Sequence, residues 1–147
     1  MKTHFNPKNN PRVIIIQKLY GKFYNEDDNI DFPKHRFKKF IKDIVFGTIE
    51  RNDLILDELN NKLGDEFILD ELNNKLGDDF VLDNLDKVFQ TILKAATYEF
   101  LYKPNISIKI IIKEYLNSSN FFLEDSQTKY LNALLDNVGK KLRTSNA

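Results

Sequence analysis

Two histidines, four arginines and a dense run of carboxylates are the groups with which this 147-residue chain could do chemistry. His4 and His35 fall in different segments, and neither sits in an HExxH or comparable metal-ligand spacing. There is no cysteine, which removes a thiolate metal site, a cysteine nucleophile and a disulfide scaffold. No GxxxxGK(S/T), GxGxxG or GxSxG occurs. Asp57, Glu58, Asp65, Glu66, Asp70 and Glu71 are dense enough to suggest a divalent cation. They lack the alternating oxygen ligands and the glycine of a calcium loop, and read as a solvated helix surface. The expectation is therefore no catalytic residue, no metal ligand and no cofactor: not an enzyme.

The start of the chain carries different chemistry. Lys8, Arg12 and Lys18 share a segment with Gln17 and Tyr20. Basic side chains attract phosphates, an amide hydrogen-bonds base edges, and an aromatic ring stacks on an unpaired base. Arg12 is the first arginine in the chain and the only one before Arg36, so it alone offers a forked, bidentate contact there. The competing reading places Tyr20 on an apolar stripe facing the core. Charge points both ways. The net charge is zero, but residues 1–50 hold 10 basic and 6 acidic groups, residues 51–87 hold 4 and 11, and residues 88–147 hold 8 and 5. A start at +4 suits a polyanion and a middle at −7 repels one.

These residues must be positioned by helices. Hydrophobic residues make up 41% of the chain, including 12 Phe and 6 Tyr, enough for one core. Apolar spacing is helical almost throughout. Ile16, Tyr20 and Phe23 form one stripe. Phe37, Ile41, Ile44 and Thr48 form a second, after Asp31-Phe32-Pro33, where Asp can cap and Pro can open a helix. Leu85, Phe89, Ile92, Ala96 and Phe100 form a third, ending near Pro104. Ser107 is a plausible cap for a helix bearing Ile111, Ile112 and Tyr115, although Ile106 to Ile112 also has strand character. Ser126 or Asp125 caps a last helix lined by Tyr130, Leu134, Val138 and Leu142. No apolar run approaches a membrane span, and no signal-peptide core follows Met1, so a soluble cytoplasmic protein is expected.

The acidic middle is an internal repeat. Ile55 to Phe67 and Ile68 to Phe80 agree at 12 of 13 positions, differing only at Glu66 against Asp79. Such identity points to a recent duplication rather than a solenoid. At roughly 100° per residue, 13 residues turn a helix face by about 220°. The two leucine-rich stripes of one continuous rod would then point nearly opposite ways, so short helices broken at Gly64 and Gly77 are expected. Each unit carries −3; one unit fewer would leave 134 residues at +3.

Four stretches, in order, resemble the motifs of the NusB family of transcription antitermination factors. Arg12-Val13-Ile14-Ile15-Ile16-Gln17-Lys18-Leu19-Tyr20 is similar to an Arg-rich start followed by AxQxLY. Ile92 to Phe100, ILKAATYEF, is similar to LRxAxYEL. Ile106 to Glu114, ISIKIIIKE, is similar to PxKVxINEA, and Tyr130 to Asp136, YLNALLD, to FVNGVLD.

The resemblance implies a compact all-α bundle of two small subdomains and no catalysis. On this chain it gives a single domain over 1–147, with an N-terminal part at 1–52, the duplicated segment at 53–80 and a C-terminal part at 81–147. It implies binding of single-stranded boxA-type leader RNA of ribosomal RNA transcripts. The partner would be the small-subunit ribosomal protein NusE, the pair joining the RNA polymerase antitermination complex. It leaves open a homodimer when free. By position, Lys8, Arg12, Gln17 and Tyr20 fall at the RNA, and Phe89, Ser126 and Tyr130 at the protein partner. The chain departs from the pattern at the thinned Lys8-Asn9-Asn10-Pro11-Arg12 start, at Phe89-Gln90, and at Lys113 and Tyr115, where the motif has Asn and a small Ala. Leu93, Ala96 and Leu134 are expected in the core, Glu99 and Asp136 in packing or capping, and Asn132 as a buried hydrogen-bonding group. The alternative is a helical protein–protein module of the same fold without specific RNA binding.

Overall fold

Every residue from Phe89 to Phe100 is buried, including Gln90, Thr91, Lys94, Thr97 and Glu99. A helix covered on all sides must be surrounded by others, and this one, Lys87–Tyr102, is the axis of an all-α bundle. The computed structural model describes residues 9–24, 30–63 and 86–144. Among them lie six helices and no strand: α1 Pro11–Tyr24, α2 Lys38–Glu50, α3 Asn52–Leu63, α4 Lys87–Tyr102, α5 Ile108–Ser119 and α6 Asp125–Thr144. Helix α4 packs on each of the other five; α1 also lies on α2 and α5, and α6 on α3 and α5. One continuous apolar core draws on all six, from Ile15, Ile16 and Leu19 of α1 to Leu134, Val138 and Leu142 of α6. Leu93, Ala96 and Leu134 lie in it as expected.

Local chemistry sets the helix ends. Pro11 takes the first helical position of α1, where no N–H is needed. Asn10 caps it: its Oδ1 accepts from Arg12 N at 2.9 Å and from Val13 N at 3.1 Å. Asp86 caps α4 through Val88 N at 2.9 Å, and Ser107 caps α5 through Ile110 N at 3.2 Å. That cap, with Ile111 and Tyr115 buried, decides Ile108 to Ile112 for helix, while Ile106 lies in the bend before it. The carbonyls ending α4 are gathered by Arg143 of α6. Its guanidinium donates to Phe100 O at 3.0 Å, Ile106 O at 2.7 Å, Lys103 O at 3.0 Å and Glu99 O at 3.3 Å. Burial lowers its pKa below the ordinary arginine value, against the pull of Glu99.

Two expected helix starts are corrected. α2 begins at Lys38, not after Asp31 and Pro33. Phe32 instead packs edge-on against Phe46 with centroids 5.6 Å apart. The turn is closed by His35, whose Nδ1 accepts from Phe37 N at 3.0 Å. Phe37, expected on the buried stripe, is exposed. α6 begins at Asp125, so Ser126 is inside the helix and not its cap; Gln127 Oε1 accepts from Glu124 N at 3.1 Å, the return half of a capping box. Of the repeat, α3 takes Ile55 to Leu63 of the first copy and seats Ile55 and Leu59 in the core. Gly64, Gly77 and the second copy lie outside the described residues, as does Leu85.

Candidate functional site

Arg12 is the residue from which the N-terminal site is built, and its guanidinium points inward. Its side chain is 9% exposed and faces Glu99 of α4, which is 0% exposed. One edge of the fork is engaged bidentately: Nη2 donates to Glu99 Oε1 at 2.6 Å and Nε to Oε2 at 3.2 Å. Tyr115 of α5 donates its hydroxyl to the same Oε2. Glu114 stands 4.0 Å from Nη1. The planar group lies over the rings of Phe40, 5.0 Å to centroid, and Tyr115, 5.5 Å. A buried charge needs this many partners to be tolerated. Burial alone would lower the pKa of Arg12, but Tyr115 and Glu99 more than offset it and the net shift is upward. Burial, then Glu99, pushes the Tyr115 hydroxyl well above the ordinary tyrosine value. Beside this cluster Ser118 Oγ lies 3.1 Å from Asn10 Oδ1, so the α1 cap is tied to α5 as well.

The fork of Arg12, which the sequence offers to phosphate, is engaged by Glu99 in the structure. The long side chain Tyr115, standing where the motif has a small residue, is accommodated by full burial. Glu99 is a packing carboxylate, as expected, and Asp136 forms a surface pair with Lys140 at 3.1 Å. Asn132, expected to be buried, is exposed.

The outer face of α1 carries the remaining groups. Gln17 is exposed, and Lys18, Tyr20 and Lys22 are partly so. Tyr20 and Tyr24 stack at 5.3 Å in a tilted pair. Tyr24 donates to Gln90 Oε1 at 3.1 Å and lies near Lys87, 5.4 Å from its ring centroid. Lys94 sits 4.2 Å over Phe23. The helix thus presents an amide, an aromatic pair and lysines on one element, a combination suited to a single-stranded polyanion. Lys8 lies outside the described residues.

The three candidate partner residues come together at the start of α4 and of α6. Phe89 is buried at 2% exposure and meets Tyr130 edge-on, with centroids 6.2 Å apart. Tyr130 and Ser126 line the same open depression of about 400 Å³ with Gln127 and Lys129. Partial burial raises the Tyr130 pKa. Phe89 thus supports Tyr130 from below. Among the described residues there is no cluster of His, Asp and Glu able to hold a metal ion, and no helix long and apolar enough to cross a membrane.

Sequence reasoning missed the role of Arg143 at the end of α4 and the basic run at the start of α2. The second was visible as Lys34, Arg36, Lys38, Lys39 and Lys42 within nine residues.

Comparison with known proteins follows this geometry. Over 59 residues, 40% of the chain, the sequence is 36% identical to the transcription antitermination protein NusB of Sinorhizobium fredii. It is 32% identical to that of Bartonella tribocorum over the same length. The matched stretch spans 37% and 38% of those relatives. The fold is similar to that of T. maritima NusB, with a TM-score of 0.70 over 92% of each chain at 21% identity. The sequence pattern that describes the NusB family matches residues 9–140, and the chain belongs to that family.

Proposed function

We propose that this protein is an RNA-binding transcription antitermination factor, without catalytic activity. It would act on ribosomal RNA transcription through boxA-like leader RNA, together with a ribosomal protein of the small subunit. The observation that carries the reading is the family match from residue 9 to residue 140, across both candidate surfaces. The relatives are named for antitermination. In this reading Lys8, Gln17 and Tyr20 meet the RNA, and Arg12 acts from inside, holding α1 against α4 and α5. Tyr130 and Ser126, with Phe89 behind Tyr130, receive the protein partner at the depression on the first turns of α6.

The test is titration of fluorescently labelled boxA-like RNA with the protein co-expressed with the ribosomal protein, at several salt concentrations. Binding that weakens steeply with salt is expected, because neutralised phosphates release counterions. Absence of binding at low salt refutes the reading. The inward Arg12 favours a second reading, a protein–protein module of the same fold that has lost specific RNA recognition. A one-to-one complex with the ribosomal protein that binds no RNA selects it.

A further inference from the structure

The start of α2 holds the densest positive charge among the described residues. Lys34, Arg36, Lys38, Lys39 and Lys42 fall within nine residues that contain no carboxylate. All five are exposed. Among the described residues none of them has a carboxylate within ion-pair distance; the bracketing Asp43 is taken by Lys103, and Asp31 is exposed ahead of the run. Like charges packed this closely repel one another, and a neutral folded protein gains nothing from them. Exposed aromatic rings accompany them: Phe37 is 46% exposed and Phe46 41%. Phe37 lies under Arg36 at 5.0 Å, and Lys42 approaches Phe32, which backs Phe46, at 5.9 Å. Lys39, Lys42 and Phe46 line an open depression of about 400 Å³ floored by Tyr98 and closed by Arg51, whose charge meets Glu50 at 3.6 Å. Cationic side chains interleaved with exposed rings suit a backbone of phosphates with unpaired bases between them.

The run also adjoins the start of α1. His35 Nε2 is 2.8 Å from the carbonyl of Asn9, and the Phe40 ring lies against Arg12. At α1 itself the forked cation is bound by Glu99 and cannot serve a phosphate without breaking a buried pair. From these facts we infer that the segment Lys34 to Lys42 is the principal phosphate-binding surface of this protein for single-stranded RNA, supplying the charge that the start of α1 does not present. The inference rests on the RNA-binding reading above and gives that reading its site.

The experiment is a salt titration of a fluorescein-labelled, unstructured boxA-like RNA, with the full chain alone and with the ribosomal protein. The variant Lys38→Gln/Lys39→Gln/Lys42→Gln is compared with Lys109→Gln/Lys113→Gln/Lys140→Gln, which removes equal charge from α5 and α6. For single strands each phosphate contact contributes about 0.7 to the slope of log K against log salt, so the α2 variant should lose roughly 2 from the slope. Its affinity near 0.1 M salt should fall on the order of 10-fold to 100-fold. The control should keep the wild-type slope. The pair Lys34→Gln/Arg36→Gln lies before the helix and should lose about two-thirds as much, which guards against a helix weakened by substitution. Equal slopes for wild type and the α2 variant, or equal losses in both triple variants, overturn the inference while RNA binding itself stands. Equal affinity for polyglutamate and RNA overturns it by marking an unselective polyanion surface. No RNA binding by the wild type, alone or with the ribosomal protein, overturns both.

Discussion

Replacing Arg12 by Ala is a test of folding before it is a test of RNA binding. The substitution removes both hydrogen bonds from Arg12 to the Glu99 carboxylate and its ion-pair partner among the described residues, leaving a carboxylate at 0% exposure that still accepts from the Tyr115 hydroxyl. Removing one partner of a buried pair costs about 3–5 kcal/mol, chiefly because the other charge is stranded. The lost contacts with Phe40 and Tyr115 add to this, and water entering beside the partly open Arg12 site subtracts from it. The lower end, about 3 kcal/mol, is thus the working figure, against a total stability of about 5–15 kcal/mol for a domain of this kind. At about 3–4 °C per kcal/mol for this length, Tm should fall by roughly 10 °C. A phosphate-contacting surface arginine would move Tm by far less, since exposed substitutions stay within about 0.5 kcal/mol. Thermal and urea denaturation at neutral pH, followed by circular dichroism, separates the two. The double variant Arg12→Met/Glu99→Leu supplies the internal check: it removes both charges and should recover most of the loss. An Arg12→Ala protein melting within about 2 °C of wild type would refute the structural role. So would a double variant no better than the single one.

Tyr115→Phe deletes the hydroxyl that donates to Glu99 and should cost about 1.5–3 kcal/mol at neutral pH, read as a lower urea midpoint. Because burial raises the Tyr115 pKa in the folded state, the folded chain holds that proton more tightly than the unfolded one. The associated stability is complete below the unfolded value near 10 and is lost as pH rises above it. Wild type should therefore lose stability faster than Tyr115→Phe above about pH 10; parallel curves would contradict this. At Gly47, an added Cβ would collide with the Tyr98 ring, so Gly47→Ala must displace that ring or α2 itself and should cost about 1–3 kcal/mol in chemical denaturation. Deleting residues 68–80 should leave Tm within a few degrees, since the surviving copy still supplies Ile55 and Leu59 to the core. Deleting 55–67 instead yields nearly the same sequence and should behave alike; unfolding of either protein would show that both copies are required.

The helices were legible in the sequence where apolar periodicity and capping chemistry agreed. Ser107, with Ile111 and Tyr115 following at helical spacing, foretold α5, and Pro104 foretold the end of α4. The start of α2 was not legible, because its acceptor is an imidazole. Asp31 and Pro33 formed a plausible helix opening, but His35 closes the turn, and one of its nitrogens is committed to a residue 26 positions away. The inward direction of Arg12 is hidden from the sequence for the same reason on a larger scale. Its partner Glu99 lies 87 residues away, and nothing in local spacing distinguishes a basic residue aimed at solvent from one aimed at a buried acid. Asn132 fails similarly: its place within a motif suggested burial, but the packed stripe of α6 runs through Leu131, Leu134, Leu135 and Val138 and passes it by.

This bears on what the motifs mean. Arg12 belongs to the first motif, Glu99 to the second and Glu114 to the third, with Tyr115 just beyond it, and the structure gathers them at one buried ion pair. Three stretches that resemble functional signatures are thus joined as a device for locking α1, α4 and α5 together. A motif match built on such residues speaks strongly for fold and weakly for surface chemistry, because a buried pair can be maintained while the exposed face changes. The surface must then be judged on its own residues. On α1 these are Gln17, Lys18 and Tyr20; on α2 they are a basic run outside all four motifs. If charge for RNA has shifted from the first helix to the second, the thinned start of this chain is a relocation of the binding surface. A depleted Arg-rich motif and a competent RNA-binding protein are then compatible.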